Sequence, residues 1–256
     1  MRPLLKWAGG KRWLLPHLAP IWRNYERHRL VEPFCGGLSI ALGLQPERAL
    51  LNDINPHAIN FYQWIKKGLT FTVEMQNEKT LYYEYRDTFN ALVRSGQHHT
   101  QKAAELFYYL NRTGFNGLCR FNRKGEFNVP MGRYRTINYA HDFLDYQPML
   151  SRWSLSAVDF EAVAIETGDI IYADPPYDVE FRQYSQWGFT WSDQVRLANW
   201  LAQLNSPVIV SNQATSRILE LYSDLRFEIK TVSAPRKISC KGDRTPAIEM
   251  LVFRGI

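Results

Sequence analysis

Short apolar runs near the N-terminus are each followed by a turn and then by a helical pattern. In RLVEPFCGGLSIAL, the spacing predicts a strand over residues 30–32, a glycine turn, and a helix over about residues 38–44. In ALLNDINPHAINFYQWIK, the apolar run ends at Asp53, and Asn55 is expected to cap a helix that has Pro56 at its first position. Two such strand-turn-helix units predict a parallel sheet covered by helices.

The pattern changes to long amphipathic stretches between residues 61 and 110, where LYYEYRDTFNALV and TQKAAELFYYLNR predict helices. The following FNRKGEFNVP predicts a hairpin that turns at Lys124-Gly125. Alternation then resumes, with strands expected in LSAVDFEAV, DIIYADPPY, SPVIVSN, FEIKTVSAP and IEMLVF, and helices in WSDQVRLANWLAQL and ATSRILELYSDL. We therefore expect one α/β core interrupted by a helical insertion from about residue 56 to residue 146.

Composition narrows the class of protein. Of the 256 residues, 45% are hydrophobic and 22% are charged, and no apolar run approaches the length that spans a bilayer. The N-terminus lacks the apolar segment of a secretory signal, because it is interrupted by Lys6, Lys11 and Arg12. These features predict a soluble, cytoplasmic protein without a membrane partner.

The cysteines and histidines favour neither a disulfide framework nor a metal site. The chain has three cysteines, Cys35, Cys119 and Cys240, which are far apart and show no zinc-ligand spacing. The adjacent His98 and His99 lie in the polar tract SGQHHTQK, without carboxylates or cysteines arranged around them. We expect reduced thiols, a solvated histidine loop and no metal.

Basic residues are concentrated in one tract of the insertion, in a chain whose net charge is +6. A basic patch is the electrostatic footprint of a protein that neutralises phosphates, although composition alone leaves nucleic-acid binding at even odds. Between residues 112 and 135 the tract has one acid, Glu126, among basic and aromatic side chains: Arg112, Arg120, Arg123, Lys124, Arg133, Arg135, Phe115, Phe121, Phe127 and Tyr134.

The stretch IIYADPPYD joins an apolar run to an acid, two prolines and an aromatic ring. Proline rarely continues a buried strand, so Asp174 is expected where a strand leaves its sheet, the edge at which open α/β sheets bind ligands. A planar exocyclic amine becomes nucleophilic when acceptors in its plane bind both of its hydrogens. Asp174 would supply a carboxylate, Pro175 a backbone carbonyl that the prolines hold outward, and Tyr177 a flat face for the ring. For the bare tripeptide, an ordinary Asp-Pro turn is the simpler interpretation.

Further residues favour a nucleoside ligand. The glycine pair of EPFCGG lets the backbone approach a ligand, and Glu32 can accept hydrogen bonds there. Asp53 ends the next strand about 20 residues later, which is the placement of an acid that binds ribose hydroxyls. We expect Asp159-Phe160 to close another strand and to offer an adenine an acceptor and a ring, although Asp159 by itself is typical of a helix cap. Together these residues favour an adenosine-containing ligand.

The N-terminal KWAGGK places Trp7 beside Lys6 and Lys11 on a glycine turn. An ordinary loop would explain this stretch. The functional interpretation is that Trp7 offers its ring to a cationic ligand and that the two lysines donate hydrogen bonds.

Taken in order along the chain, KWAGGK, EPFCGG, LNDIN, NRTGFNGLCRFNRKGEFNVPMGRY and DPPY closely resemble the Dam-type, D12 class DNA adenine-N6 methyltransferases of the α-group. The resemblance implies an α/β fold with a Rossmann-like mixed sheet, in which residues 1–55 and 147–256 form the methyltransferase core that binds S-adenosylmethionine. Residues 56–146 would form a helical target-recognition domain that carries the hairpin. The resemblance also implies double-stranded DNA as the partner and GATC as the site. A monomer without an obligatory protein partner is the expectation for an enzyme that reads a short site alone.

The resemblance assigns roles to single residues of the core. Asp174, with Pro175, Pro176 and Tyr177, would hold a flipped adenine while its amino nitrogen attacks the sulfonium methyl in line, without a covalent enzyme intermediate or a metal. The cofactor would contact Trp7, Lys11, Glu32, Phe34, Asp53, Asp159, Phe160 and Asp174.

It likewise assigns roles on the DNA side. Arg120 matches the arginine that reads guanine, and Phe115 and Asn116 match the residues that fill the gap left by the flipped base. The other base-contacting positions correspond to Lys6, Leu118 and Pro130, and phosphate contacts are expected from Arg123, Arg133 and Arg135.

Two alternatives stay open at this point. The same chemistry at a different DNA sequence is one, because few side chains choose the bases. A DNA-binding protein without catalysis is the other, which the basic tract alone would allow and which the intact Asp174 and Tyr177 disfavour. A small-molecule or RNA methyltransferase explains the basic insertion less well.

Overall fold

The computed structural model describes residues 1–178, 188–234 and 247–256. Within these residues, seven strands form one sheet in the order β3-β2-β1-β4-β5-β7-β6. Strands β1 to β5 are parallel, and β7 runs antiparallel to both β5 and β6. The predicted mixed α/β sheet is therefore confirmed. The strands are β1 (Arg29–Glu32), β2 (Ala49–Asn52), β3 (Trp153–Ser156), β4 (Asp169–Ala173), β5 (Val208–Gln213), β6 (Glu228–Ala234) and β7 (Ala247–Arg254).

The helices begin and end close to the sequence-based expectation. At the start of α3, the Asn55 side chain accepts hydrogen bonds from the backbone of His57 and Ala58, and Pro56 takes the first position, so the predicted cap is confirmed. The helices are α1 (Leu15–Trp22), α2 (Ala41–Leu44), α3 (Pro56–Lys66), α4 (Lys79–Arg94), α5 (Gln101–Thr113), α6 (Gln147–Leu150), α7 (Trp191–Gln203) and α8 (Ser216–Asp224).

Two predicted boundaries were wrong by three residues. Helix α2 begins at Ala41 rather than near Leu38, because Leu38 has a left-handed φ of 58° and donates its N–H to the Cys35 carbonyl. Strand β3 ends at Ser156, so Asp159 does not close it. Asp159 instead caps a short 3₁₀ turn by accepting from the Glu161 N–H, which is the helix-cap role that the sequence also allowed.

The predicted hairpin in the insertion is present as a single turn with one bridging pair. Phe121 and Phe127 form an antiparallel bridge, and Asn122 donates to the Glu126 carbonyl. Gly125 has a φ of 79°, and this left-handed conformation lets three residues connect Asn122 to Glu126 in a tight turn. The basic side chains are thereby presented on a tight turn.

The two faces of the sheet bury separate apolar clusters, as alternation along the strands requires. Leu30 and Ile170 belong to the face covered by α1, α3 and α5, and Val31 and Ile171 belong to the face covered by α7 and α8. The first cluster runs without interruption into the insertion, where Phe107 of α5 is fully buried. The helices of the insertion therefore share a core with the sheet.

Two of the three cysteines lie in the described residues. Cys240 and the end of FEIKTVSAP lie outside the described residues, whereas Cys35 and Cys119 are free thiols. In the part of the chain that the structure describes, no group of three or more histidine, cysteine, aspartate or glutamate side chains could hold a metal ion. Over the same residues, no helix has the length and apolar character needed to cross a membrane.

Candidate active site

Three acids lie where three neighbouring parallel strands reach the same edge of the sheet. Glu32 ends β1, Asp53 follows β2, and Asp174 follows β4. Strand β1 pairs with β2 on one side and with β4 on the other, and the chain reverses its direction of winding between them. This is the switch point at which open α/β sheets form a ligand-binding crevice.

Asp174 is held through one of its two carboxylate oxygens. The Oδ1 atom accepts a hydrogen bond from Ser211 Oγ at 2.8 Å and lies 3.0 Å from Lys11 Nζ. No described residue donates a hydrogen bond to Oδ2, and the side chain keeps 19% of its surface exposed. The anchored carboxylate thus keeps one acceptor oxygen available for a ligand.

The prolines after Asp174 are fixed from α7. Gln194 donates a hydrogen bond to the Pro176 carbonyl at 2.8 Å, and Asn212 of β5 orients the Gln194 amide. No described residue donates to the Pro175 carbonyl. The loop is therefore held by one carbonyl while the preceding carbonyl stays available as an acceptor.

The Tyr177 ring lies beside the same lysine. Lys11 Nζ is 4.4 Å from the ring centroid, within the range of a cation–π contact, and 4.0 Å from Glu249 of β7. Lys11 also donates to the Gly9 carbonyl at 3.0 Å. The lysine predicted on a flexible turn is in fact buried, and it joins the N-terminal loop to Asp174 and Tyr177.

Asp174, Glu249 and Glu32 have raised pKa values, so their carboxyl groups are protonated more readily than free ones. Burial raises the pKa of Asp174, although the ion pair with Lys11 opposes this. Burial also raises the pKa of Glu249, and it raises that of Glu32 to about 8. Glu32 Oε1 is buried without a hydrogen-bond partner, so it is a candidate acceptor for a ligand donor.

The glycine turn after β1 is filled by Trp7. A Cβ atom on Gly36 would lie 2.5 Å from the Trp7 ring nitrogen, and one on Gly37 would lie 2.9 Å from Trp7 Cβ. The two glycines therefore leave room for this indole, and their predicted close approach to a ligand stays a prediction. Asp53 accepts from the Gly36 and Asn55 N–H groups, each at 2.9 Å, and burial raises its pKa to about 6.

Asp159 and Phe160 lie at the same edge of the sheet, shortly after the end of β3. Arg196 of α7 makes a two-pronged ion pair with Asp159, at 3.0 and 2.9 Å, and its guanidinium lies 4.3 Å from the Phe160 ring centroid. Phe34, which follows β1, has its ring 5.6 Å from that of Phe160. The predicted acceptor and ring are therefore adjacent and share Arg196 as a support.

Lys6 and Arg120 lie on the insertion side of the N-terminal loop. Lys6 Nζ donates to the Arg112 carbonyl and lies 3.9 Å from the Tyr134 ring centroid, while burial and Arg112 lower its pKa to about 8. Arg120 is half-buried, and Asn128 across the hairpin accepts from its Nε at 2.8 Å. Both side chains are positioned by neighbours.

The other predicted DNA contacts are more exposed. Phe115 is 48% exposed, and its neighbour Asn116 has a φ of 53°, a left-handed conformation that asparagine tolerates. Leu118 is half-buried, and the exposed residues include Pro130, Arg123, Arg133 and Arg135. By contrast, Arg112 of the basic tract is half-buried and donates to backbone carbonyls of Leu4 and Asn138, so its role is structural.

Four residues of the site were missed from the sequence: Gln194, Arg196, Ser211 and Glu249. Ser211 lies near the end of the apolar run SPVIVSN, a position equivalent to that of Asp174 after its own strand. A polar residue at the carboxyl end of a buried strand was therefore a usable signal. The residues on α7 and β7 carried no comparable signal, because only the tertiary fold brings them to this edge.

Comparisons with known proteins identify the family of the chain. The family model of the D12 class N6 adenine-specific DNA methyltransferases matches residues 7–238 of the chain. The Type II methyltransferase M1.LlaDCHI of Lactococcus lactis subsp. cremoris is 34% identical, over 98% of this chain and 94% of its own. The retron Ec67 DNA adenine methylase of Escherichia coli is 33% identical, over 100% and 92%. A DNA adenine methylase of Vibrio cholerae serotype O1 is 35% identical, over 94% and 91%. The chain belongs to the D12 class N6 adenine-specific DNA methyltransferases.

Proposed function

We propose that this enzyme transfers the methyl group of S-adenosylmethionine to N6 of adenine in double-stranded GATC, after flipping the base out of the helix. The observation that carries the proposal is the geometry of Asp174. Its carboxylate is anchored through Oδ1, offers Oδ2, and is followed by the available Pro175 carbonyl and the Tyr177 ring. These are the two acceptors and the stacking face that an exocyclic amine requires.

The residues at the carboxyl edge fit the cofactor. Glu32 has a buried acceptor without a partner, which suits the cationic amino group of S-adenosylmethionine. Phe34, Phe160 and Asp159 offer rings and an acceptor for the adenine base. Asp53 would bind the ribose with acceptor capacity beyond the two backbone N–H groups it already receives. Trp7 and Lys11 close the edge from the N-terminal loop. When bound, the cofactor supplies an electrophilic methyl group on a sulfonium sulfur.

The protein's contribution to the chemistry is orientation and electrostatics. Asp174 Oδ2 and the Pro175 carbonyl would each accept one hydrogen of the adenine amine, so that the nitrogen lone pair is localised toward the methyl group. The nitrogen would gain a bond to the methyl carbon as the bond from that carbon to the sulfonium sulfur breaks and its electron pair stays on sulfur. The nitrogen then carries one extra proton, which Asp174 Oδ2 would accept. Tyr177 would hold the plane of the base by stacking.

Residues 56–146 supply the DNA-reading part in this proposal. Arg120 would read a guanine through its fork of donors, with Lys6, Leu118 and Pro130 at the other base contacts. Flipping the base costs a few kcal/mol of unstacking. Phe115 and Asn116 would enter the space that the base leaves. Arg123, Arg133 and Arg135 would neutralise phosphates. Support comes from the exposure of Phe115 and of the three arginines. We propose that the chain does this as a monomer.

The test is methylation of short duplexes with labelled S-adenosylmethionine. One duplex contains GATC and the other GTTC, and each is incubated with the purified protein and with Asp174→Ala. We expect label only in the GATC duplex and none with the variant. Equal labelling of both duplexes would keep the chemistry and reject GATC. Cofactor and duplex binding without any label would instead favour a binding protein that lacks catalysis.

A further inference from the structure

Two buried hydroxyl groups lead from the core of the sheet to Asp174. Tyr172 of β4 and Ser211 of β5 lie on adjacent strands, with their oxygens 2.8 Å apart, and Ser211 Oγ is 2.8 Å from Asp174 Oδ1. Ser211 is 0% exposed and Tyr172 is 3% exposed. Both hydroxyls are therefore shielded from water, and they bond to one another and to the carboxylate.

The direction of these hydrogen bonds follows from the groups themselves. An ionised carboxylate only accepts, so the single hydroxyl hydrogen of Ser211 is donated to Asp174. The bond between the two hydroxyls must then be donated by Tyr172. Burial raises the pKa of Tyr172, which keeps the phenol protonated as this donor. Tyr172 therefore donates its hydrogen bond to Ser211, and Ser211 donates its own to Asp174 Oδ1.

We propose that Ser211, supported by Tyr172, is a positioning residue for methyl transfer, because it fixes Asp174 so that Oδ2 alone faces the amine of the target base. The inference rests on the proposed role of Asp174. Lys11 and Ser211 hold Oδ1 from two elements that are far apart in the chain, the N-terminal loop and β5. With Oδ1 held in this way, rotation of the carboxylate about its Cβ–Cγ bond would break both contacts.

Within residues 1–178, 188–234 and 247–256, the charged and titratable neighbours of Asp174 come from several elements. They are Lys11 in the N-terminal loop, Glu32 of β1, Tyr172 of β4, Tyr177 after β4 and Glu249 of β7. Lys11 and Ser211 favour the ionised carboxylate, whereas burial favours the protonated form. Loss of the Ser211 hydroxyl therefore raises the pKa of Asp174 further, and the acid limb of the activity profile moves to higher pH.

The experiment compares Ser211→Ala, Ser211→Thr and Tyr172→Phe by steady-state kinetics from pH 5 to 9. For Ser211→Ala we expect kcat to fall roughly tenfold to hundredfold, as for loss of a hydrogen bond to a charged group. The KM values for cofactor and DNA should change little. The acid limb should move upward in pH. Ser211→Thr keeps a hydroxyl and should restore both kcat and the limb, and Tyr172→Phe should shift both in the same direction by less.

Ser156→Ala is the matched control. It removes a serine hydroxyl at the same edge, at the end of β3, where Ser156 donates to Asn52 and not to Asp174. Its acid limb should stay where that of the unchanged protein lies, and thermal melting checks that each variant is folded.

Two results would overturn the inference while leaving the proposed function intact. In the first, Ser211→Ala keeps its kcat; in the second, it loses kcat with the acid limb unmoved, which would indicate altered packing alone. Asp174→Asn and the unchanged protein separate failure of the inference from failure of the proposed function. If Asp174→Asn methylates DNA normally, the role proposed for Asp174, on which the inference rests, is wrong. If the unchanged protein transfers no methyl group to DNA, the proposed function itself fails.

Discussion

The edge of the sheet around Asp174 and the surface of the insertion that we propose to face DNA are built in opposite ways. At the edge, Lys11 is buried and contacts Asp174, Tyr177 and the Gly9 carbonyl, and the buried Asp53 accepts two backbone hydrogen bonds. On the insertion, Arg123 and Arg133 are exposed, and Arg120 is half-buried with hydrogen bonds to Asn128. Under the proposed function, the groups that carry the chemistry are preorganised, whereas the groups proposed to read DNA would complete their contacts only on the duplex.

The largest effect is expected at the edge. Asp174→Asn keeps the size of the side chain but removes the charge that, in the proposed mechanism, localises the amine lone pair and accepts the proton. We expect the methylation rate to fall by more than about a thousandfold, whereas affinity for the duplex is retained. Single-turnover methylation and a fluorescence-anisotropy titration measure the two quantities. A variant that binds DNA tenfold more weakly and methylates it at the normal rate would reverse the comparison.

The next effect concerns sequence reading on the insertion. Arg120→Ala should lower discrimination between GATC and its single-base variants by about 1–3 kcal/mol, or roughly tenfold to hundredfold in relative kcat/KM. The rate of the chemical step on GATC should change much less. Arg120→Lys is the control, because it keeps the charge and loses the fork of donors. If the lysine variant discriminates as well as the unchanged protein, Arg120 does not read a base.

A third prediction tests burial at the edge through stability. The pKa of Glu32 rises from its ordinary 4.5 to about 8 in the folded protein. Between these values the unfolded chain releases the proton and the folded protein keeps it, so the free energy of unfolding falls as the pH rises. The Glu32 contribution to this slope is at most about 1.4 kcal/mol per pH unit.

Thermal or urea unfolding of Glu32→Gln measures that contribution. The variant should lose the part of the slope that Glu32 provides, while the slope from Asp53, whose pKa rises to about 6, persists. An unchanged slope would mean that Glu32 is ionised and solvated in the folded protein, and that the edge is less buried than the structure shows.

The sequence could predict the acids at the edge of the sheet but not the contacts that hold them. The acids at the strand ends were identifiable because a polar residue that stops an apolar run has a local signature, and Asp53 and Asp174 both lie at the predicted edge. The pairing of Lys11 with Asp174 joins residues that are far apart in the chain, and no local pattern predicts it. Trp7 filling the glycine turn was missed for the same reason.

In the insertion, the sequence predicted the helices and the turn but not which arginines are buried. Its helices and its turn at Gly125 followed from periodicity and glycine chemistry, and both were confirmed. The sequence could not separate structural from exposed arginines, however, because Arg112 and Arg133 are chemically the same residue. Only the fold shows that Arg112 is half-buried and bonded to backbone carbonyls, whereas Arg133 is exposed.

The smallest effect is expected at an exposed arginine of the insertion, Arg133. Arg133→Ala should weaken binding to GATC and to unrelated duplexes by the same few-fold factor, because a phosphate contact carries no sequence information. The dependence of log Kd on log salt concentration should fall by about 1, and kcat should not change. Arg152→Ala is the matched control, since Arg152 is an exposed arginine just before β3, at the opposite edge of the sheet from Asp174. If both variants reduce the salt dependence equally, binding reflects net charge and not an insertion surface that faces DNA.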